Sequence, residues 1–150
     1  MIPHNDLAAR AETLARAAHA GQVDKAGAPY AAHPARVAAA VAGDPLAEAA
    51  AWLHDVIEDT GTTLADLRAE GFPEPVLAAV DALTRRADEE RDAYYARVAA
   101  DPLALRVKRA DIADNSGPER LAKLPEATRI RLQDKYAHAL AALAAYEIAD

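Results

Sequence analysis

Apolar positions recur every three to four residues along most of the chain, the period of a helix that buries one face. In HNDLAARAETLARAAHAGQ the stripe is Leu7, Ala11, Leu14 and Ala18, with Asn5 or Asp6 as the cap and Gly21 as the stop. The loop VDKAGAPYAA follows, and HPARVAAAVAG predicts a second helix with Pro34 in its first turn and Gly43 at its end. DPLAEAAAWLHDVIED predicts a third, capped by Asp44, with Ala49, Trp52, Leu53, Val56 and Ile57 on its apolar face. A short helix over TTLADLRAEG ends at Gly71, and PEPVLAAVDALTRR and ADEERDAYYARVAA give a fifth and a sixth. DPLALRVKRADIADNSG gives the seventh, with the same Asp-Pro-Leu start as the third, followed by a short turn in GPERLAKLP and a long final helix over EATRIRLQDKYAHALAALAAYEIA. Residues 87–92 read as a solvated helix start, and Leu140, Leu143 and Tyr146 as core. No segment alternates apolar and polar residues over strand length, so the pattern predicts an all-α bundle of eight to ten helices, one domain over residues 1–150.

Composition sharpens this picture. Of the 150 residues, 52% are hydrophobic, but much of that share is alanine, with one Trp, one Phe and one Met. Alanine favours helix and buries little area, so the helices are expected to approach closely. Cysteine is absent, which excludes disulfides and thiolate ligands. The net charge of −7 is concentrated in the first hundred residues and argues against duplex nucleic acid as a partner, while leaving room for a small phosphorylated ligand. No apolar run reaches the ~20 residues that span a bilayer, and the N-terminus lacks a signal-peptide pattern, so a cytoplasmic protein is expected. Self-association is compatible with the pattern.

The stretch WLHDVIEDTGTT, residues 52–63, gathers His54, Asp55, Glu58 and Asp59 on a helix whose other positions read as core. Residues 54 and 55 lie about 100° apart around a helix axis, and Glu58 lies one turn beyond His54. Alone, the cluster reads as a solvated edge. Two further positions change that reading. His33 opens the second helix, and Asp111 sits mid-helix between Val107 and Ile112, where an unpaired carboxylate is costly to bury. His33, His54, Asp55 and Asp111 together offer two imidazoles and two carboxylates, a shell suited to one divalent metal, Mn²⁺ first, with Fe²⁺ and Zn²⁺ as alternatives.

The order His, His-Asp, Asp on successive helices resembles the HD-domain metal-dependent phosphohydrolases. The words AHAGQVDKAGAPYAAHPARVA, AAAWLHDVIEDTGTTLADL, ALTRR and VKRADIADNS are similar to the hydrolase domain of the RelA/SpoT-type alarmone enzymes and their small stand-alone relatives. The resemblance runs from about residue 9 to residue 146. It implies that His33, His54, Asp55 and Asp111 bind the metal, with the third and seventh helices facing each other across it. It makes Glu58 and Asp59 the pair that positions or activates the attacking water, Lys25 a basic residue near the nucleotide, and Asn115 a contact to its sugar or base. Lys108, which faces Asp111 by helical spacing, is a candidate phosphate contact.

The implied substrate is a nucleotide or related small phosphate ester, with the guanosine 3′-diphosphate alarmones among the candidates. The loop after Gln22 reads Val23-Asp24-Lys25 where the fuller alarmone hydrolases are richer in Arg and Lys. If Asp24 repels a second phosphate cluster, alarmone hydrolysis should be slow and rise in an Asp24→Arg variant.

Two other functions fit parts of the pattern. A non-catalytic HD module that senses a phosphorylated ligand is opposed by the intact Glu58-Asp59 pair. A di-iron oxygenase needs further His ligands, and only His19 is spare. His19 otherwise reads as a helix-end residue satisfied by backbone, His4 and His138 as surface residues, and Tyr30 as packed against the loop. Arg85 and Arg86 sit at a helix end, where cations favour the dipole, and Arg109 reads as a surface pair.

Overall fold

A computed structural model of the chain describes residues 2–24 and 27–147. A 3-10 turn (His4–Asp6) leads into α1 (Leu7–Ala18), followed by α2 (Ala32–Ala40), α3 (Pro45–Leu53), α4 (Val56–Asp59) and α5 (Leu64–Ala69). The order continues with α6 (Glu74–Leu83), α7 (Arg91–Ala99), α8 (Pro102–Asn115), α9 (Pro118–Ala122) and α10 (Glu126–Tyr146). The fold is all-α, as the periodicity predicts. The extended pairing among the described residues is an isolated bridge, Val23 to Pro29, which pinches the loop between α1 and α2. No described helix is long and apolar enough to cross a membrane.

The bundle is built around α3. Ala47, Ala49, Ala50, Ala51, Trp52 and Leu53 are all buried, so this helix is covered on every side. Its neighbours are α1, α2, α6 and α8. Small side chains let them approach closely, and Leu7, Ala11 and Ala15 of α1 are fully buried in that contact. Helix α8 lies against α3 and also touches α2, α6 and α7, so α3 and α8 face each other as expected.

The two Asp-Pro-Leu starts work alike. Asp44 Oδ1 accepts from the backbone N–H groups of Leu46 and Ala47 at 3.1 and 3.3 Å, and Asp101 Oδ1 from those of Leu103 and Ala104 at 3.0 Å each. Each cap satisfies otherwise orphaned donors and contributes about 0.5–2 kcal/mol. Arg106 of α8 donates to the second oxygen of Asp44 at 2.9 Å, tying the start of α3 to α8.

Four local expectations are corrected. The third helix is not continuous from 45 to 59. It breaks at His54-Asp55, where Asp55 takes φ −109° and ψ 0° in the sparsely populated bridge region. The Ala51 carbonyl accepts from the His54 ring, which draws it out of the regular helical ladder. The start of α1 has no side-chain cap: the 3-10 turn precedes it, and Asp6 makes no capping bond. Residues 87–90 lie ahead of α7, and Glu89 is clamped there by both ends of the Arg97 guanidinium at 2.6 and 2.7 Å. Finally, Leu143 is core, but Leu140 and Tyr146 are each 45% exposed, because α10 packs one face on α7 and α8 and leaves the other outside.

The alanine-lined contact is the most volume-sensitive part of the fold. Ala50→Leu should destabilise the protein by about 1–3 kcal/mol, read as a lower urea midpoint with an unchanged m-value. Ala144→Leu, on the exposed face of α10, should change stability by less than about 0.5 kcal/mol.

Candidate metal centre

Three helices bring three buried groups to one point. His33 lies in the first turn of α2, His54 follows the last residue of α3, and Asp111 sits on α8; all three are buried. One ligand atom from each lies within 4.8 Å of the others. His33 Nε2 is 2.7 Å from Asp111 Oδ1, and His54 Nε2 is 3.3 Å from the same oxygen.

The far side of each ring is committed. His33 Nδ1 donates to Asp114 Oδ2 at 2.6 Å, and Arg36 Nε holds the other Asp114 oxygen at 2.7 Å. His54 Nδ1 donates to the Ala51 carbonyl at 2.6 Å. With those protons placed, a neutral ring at either position turns a bare Nε2 lone pair toward the Asp111 carboxylate. That arrangement is favourable only with a positive charge between the groups, either a proton or a metal ion. Separations of 2.7 and 3.3 Å match neighbouring donors on a cation whose bonds are about 2.1 Å long. The residues present therefore fit a divalent metal.

The electrostatics agree. Burial disfavours the charged form of His54, but the Asp55 and Asp111 carboxylates outweigh it and hold its pKa well above the usual imidazole value. Burial likewise opposes ionisation of Asp111, and the Lys108 ammonium with the His54 and His33 rings holds it well below the carboxylate range. Lys108 Nζ sits 3.0 Å from Asp111 Oδ2 and 5.3 Å from the centre of the Tyr94 ring. Asn115 Nδ2 donates to Asp111 Oδ1 at 3.0 Å, so this residue orients the carboxylate as well as facing the cavity.

Asp55 stands beside the trio rather than within it. Its Oδ2 is 3.1 Å from His54 Nε2 and accepts a very short hydrogen bond from the Tyr30 hydroxyl. Burial pushes the carboxyl up, and the His54 ring and the Tyr30 hydroxyl pull it down to about 2, so it is ionised at neutral pH. Tyr30 is thus more than loop packing. Its ring lies 4.7 Å from that of His19, whose Nδ1 meets Gln22 Oε1 at 2.9 Å, while His19 Nε2 has no hydrogen-bond partner among the described residues. His19 is therefore held by a side chain, not by backbone, and it stays outside the ligand group.

The trio opens into a cavity of about 260 Å³ whose wall includes Tyr30, Asp55, Glu58, Arg85, Lys108 and Asn115. Glu58 lines this space; Asp59 is not among its lining residues, and burial with the nearby Asp55 charge pushes it above its ordinary pKa against the pull of the Tyr30 hydroxyl. Burial and the nearby Asp55 and Asp59 charges push Glu58 above its ordinary pKa, partly offset by the Arg85 backbone N–H and Lys108. Arg86 turns away to Asp81 at 3.7 Å. Arg109 pairs with Glu147 at the surface, and His138 with Asp92. Lys25 lies outside the described residues.

Asp24 does not point a free charge at a phosphate site. Its Oδ1 accepts from the Ala28 N–H at 2.9 Å and its Oδ2 lies 3.5 Å from Arg120 Nη1, with the side chain only 8% exposed. That pairing offsets its charge, while Asp24 also lines the two cavities on either side of Arg120. Asp114, Tyr30 and Arg120 are site residues that the sequence reading missed. Asp114 was accessible, since it lies three residues beyond Asp111 and so shares its helix face; Tyr30 and Arg120 meet the site only through tertiary contacts.

Comparison with known proteins follows the same lines. The HD domain family model matches residues 11–128. A GTP pyrophosphokinase of Streptomyces coelicolor is 35% identical over 127 residues, covering 76% of this chain and 15% of that protein. A guanosine-3′,5′-bis(diphosphate) 3′-pyrophosphohydrolase of Aquifex aeolicus is 33% identical over 123 residues, 75% of this chain and 18% of its own length. One of the same description from Haemophilus influenzae is 44% identical over 75 residues, 48% of this chain and 11% of its own length. The chain thus spans less than a fifth of these curated relatives. A solved structure described as a metazoan ortholog of SpoT that hydrolyses ppGpp superposes with a TM-score of 0.78 at 22% identity, over 95% of this chain and 88% of that one. That likeness is one of fold; the family match over residues 11–128 carries the assignment, and the chain belongs to the HD-domain family.

Proposed function

We propose that this protein is a metal-dependent phosphohydrolase that removes the 3′-diphosphate from a guanosine alarmone or a closely related nucleotide. The observation that carries this reading is the buried His33, His54 and Asp111 group opening onto a cavity that also holds Glu58. Asp55 completes the shell as a fourth ligand. The nitrogen and oxygen donor set favours Mn²⁺, with Fe²⁺ and Zn²⁺ compatible. The ion supplies charge neutralisation at the phosphoryl group and makes water more acidic.

The chain's own residues do the rest. Glu58 accepts the proton of the attacking water, since it faces the cavity and its raised pKa suits a base. Lys108 and Arg85, which line the same cavity, meet phosphoryl oxygens. Lys108 stays charged there because Asp111 outweighs the cost of its burial, which holds its pKa above the usual lysine value. A second cavity of about 250 Å³, lined by Val23, Asp24, Leu124, Leu132 and Tyr136, shares Tyr30, Asn115 and Arg120 with the first. Its apolar wall suits a nucleobase next to a phosphate held at the metal. The names borne by the relatives supply the alarmone as the first substrate to try, and Lys25 remains a candidate contact to it. The cytoplasmic location expected from the sequence belongs to the same reading.

Metal analysis tests the ligand shell. His54→Ala and Asp111→Ala should lose the ion, whereas Asp114→Asn, which loosens the grip on His33 Nδ1, should weaken metal affinity about 10- to 100-fold. Full metal content in the Asp111→Ala protein would show the assignment to be wrong.

Turnover tests the base. Glu58→Gln should keep metal content and folding while lowering kcat by ~10²-fold or more. Asp59→Asn should cost much less, because Asp59 is not among the residues that line the cavity. The reverse order of losses would make Asp59 the base.

A further inference from the structure

We propose that Arg120 is the specificity-determining residue that fixes the nucleoside part of the substrate, and that Asp24 acts through it as a positioning residue. This rests on the reading of the substrate as a nucleotide. Neither the metal cavity, about 260 Å³, nor its apolar neighbour, about 250 Å³, reaches the roughly 300 Å³ at which small-molecule sites begin. A nucleotide with its phosphate at the metal must therefore straddle both and cross their shared wall.

Three residues line that shared wall: Tyr30, Asn115 and Arg120. Two are already committed, Tyr30 to Asp55 and Asn115 to Asp111. Arg120 is different. Its ion pairs, to Asp24 Oδ2 at 3.5 Å and Asp114 Oδ2 at 3.9 Å, both run through Nη1. Among the described residues its hydrogen bond to an acid is made by Nη1, and neither Nε nor Nη2 hydrogen-bonds an acid. A guanidinium gripped at one nitrogen keeps a planar edge of donors for a ligand, the geometry that reads a base edge or a phosphate in two parallel bonds. Arg120 also lines a third, wider cavity of about 540 Å³ next to Arg36 and Lys123, so it stands where all three spaces meet.

Asp24 gives this arrangement its rigidity. Its carboxylate is fixed by the Ala28 N–H on one oxygen and faces Arg120 with the other, and it is less exposed than the guanidinium it holds. The loop acid thus sets the position of a cation supplied by α9. An arginine at position 24 would set like charges against each other and displace Arg120, the opposite of the gain expected from sequence alone.

The test measures kcat and KM on guanosine 3′,5′-bis(diphosphate) and on p-nitrophenyl phosphate, which has no nucleoside, for Arg120→Ala, Arg120→Lys, Asp24→Asn and the double variant. Metal content and nucleotide affinity in the Glu58→Gln background serve as readouts independent of turnover. Arg120→Ala should raise the nucleotide KM and Kd about 10- to 100-fold, the scale of a lost charge-assisted hydrogen bond, with a much smaller fall in kcat. Its loss on p-nitrophenyl phosphate should be at least tenfold smaller, and Arg120→Lys should recover part of the affinity. Asp24→Asn should show a smaller rise in KM that adds nothing once Arg120 is gone. A nucleotide KM within twofold of the parent, or an equal loss on both substrates, would overturn the role of Arg120. Additive losses in the double variant would overturn the positioning role of Asp24. A parent protein that cleaves p-nitrophenyl phosphate yet neither binds nor cleaves any nucleoside phosphate would instead sink the nucleotide reading itself.

Discussion

Asp111 is a carboxylate buried among three helices, and that burial is tolerable only because positive charge and hydrogen-bond donors converge on it. His33 and His54 reach Oδ1 from two sides, Asn115 adds a third contact, and Lys108 covers Oδ2. An ionised carboxylate stripped of water and left unpaired would cost several kcal/mol or take up a proton. Three elements, α2, α3 and α8, supply the groups that meet that demand. Helix α2 must start where His33 can reach, α3 must end where His54 can, and α8 must present one face to both.

The same logic extends outward in alternating charge. Asp111 is met by His33, His33 by Asp114, and Asp114 by Arg36 and, at longer range, Arg120. Arg120 in turn meets Asp24. Each group is held by one of opposite sign, so the orientation of a ring at the metal is linked to residues on the loop and on α9 that never touch it. Such supporting partners commonly matter to affinity nearly as much as the ligands themselves.

Much of this was legible in the sequence, for physical reasons. The Asp-Pro-Leu starts announce two caps because proline and a short acid suit the first turn of a helix and little else. Helical spacing brought Lys108 to Asp111 correctly. The break at His54-Asp55 was hidden, since every residue from Pro45 to Asp59 is compatible with one helix, and the imidazole's hold on the Ala51 carbonyl at the break is not written in the periodicity. The partner of Asp24 was hidden because a charge in a loop takes its meaning from what it meets, and Arg120 lies 96 residues further along the chain. Leu140 and Tyr146 were misread as core because the periodicity of α10 exceeds the width of the face it buries.

The central helix carries a consequence for how the site responds to its ion. Alanine has no rotamers to freeze, and α3 delivers His54 on a rod whose buried face from Ala47 to Ala51 is largely alanine. Little side-chain entropy remains to be lost there when an ion arrives, and little is regained when one leaves. The ring positions are instead fixed by Asp114 and the Ala51 carbonyl, neither of which depends on the ion. Binding at such a site is exchange at a standing frame, unlike that of small metal domains whose fold is made by the ion itself.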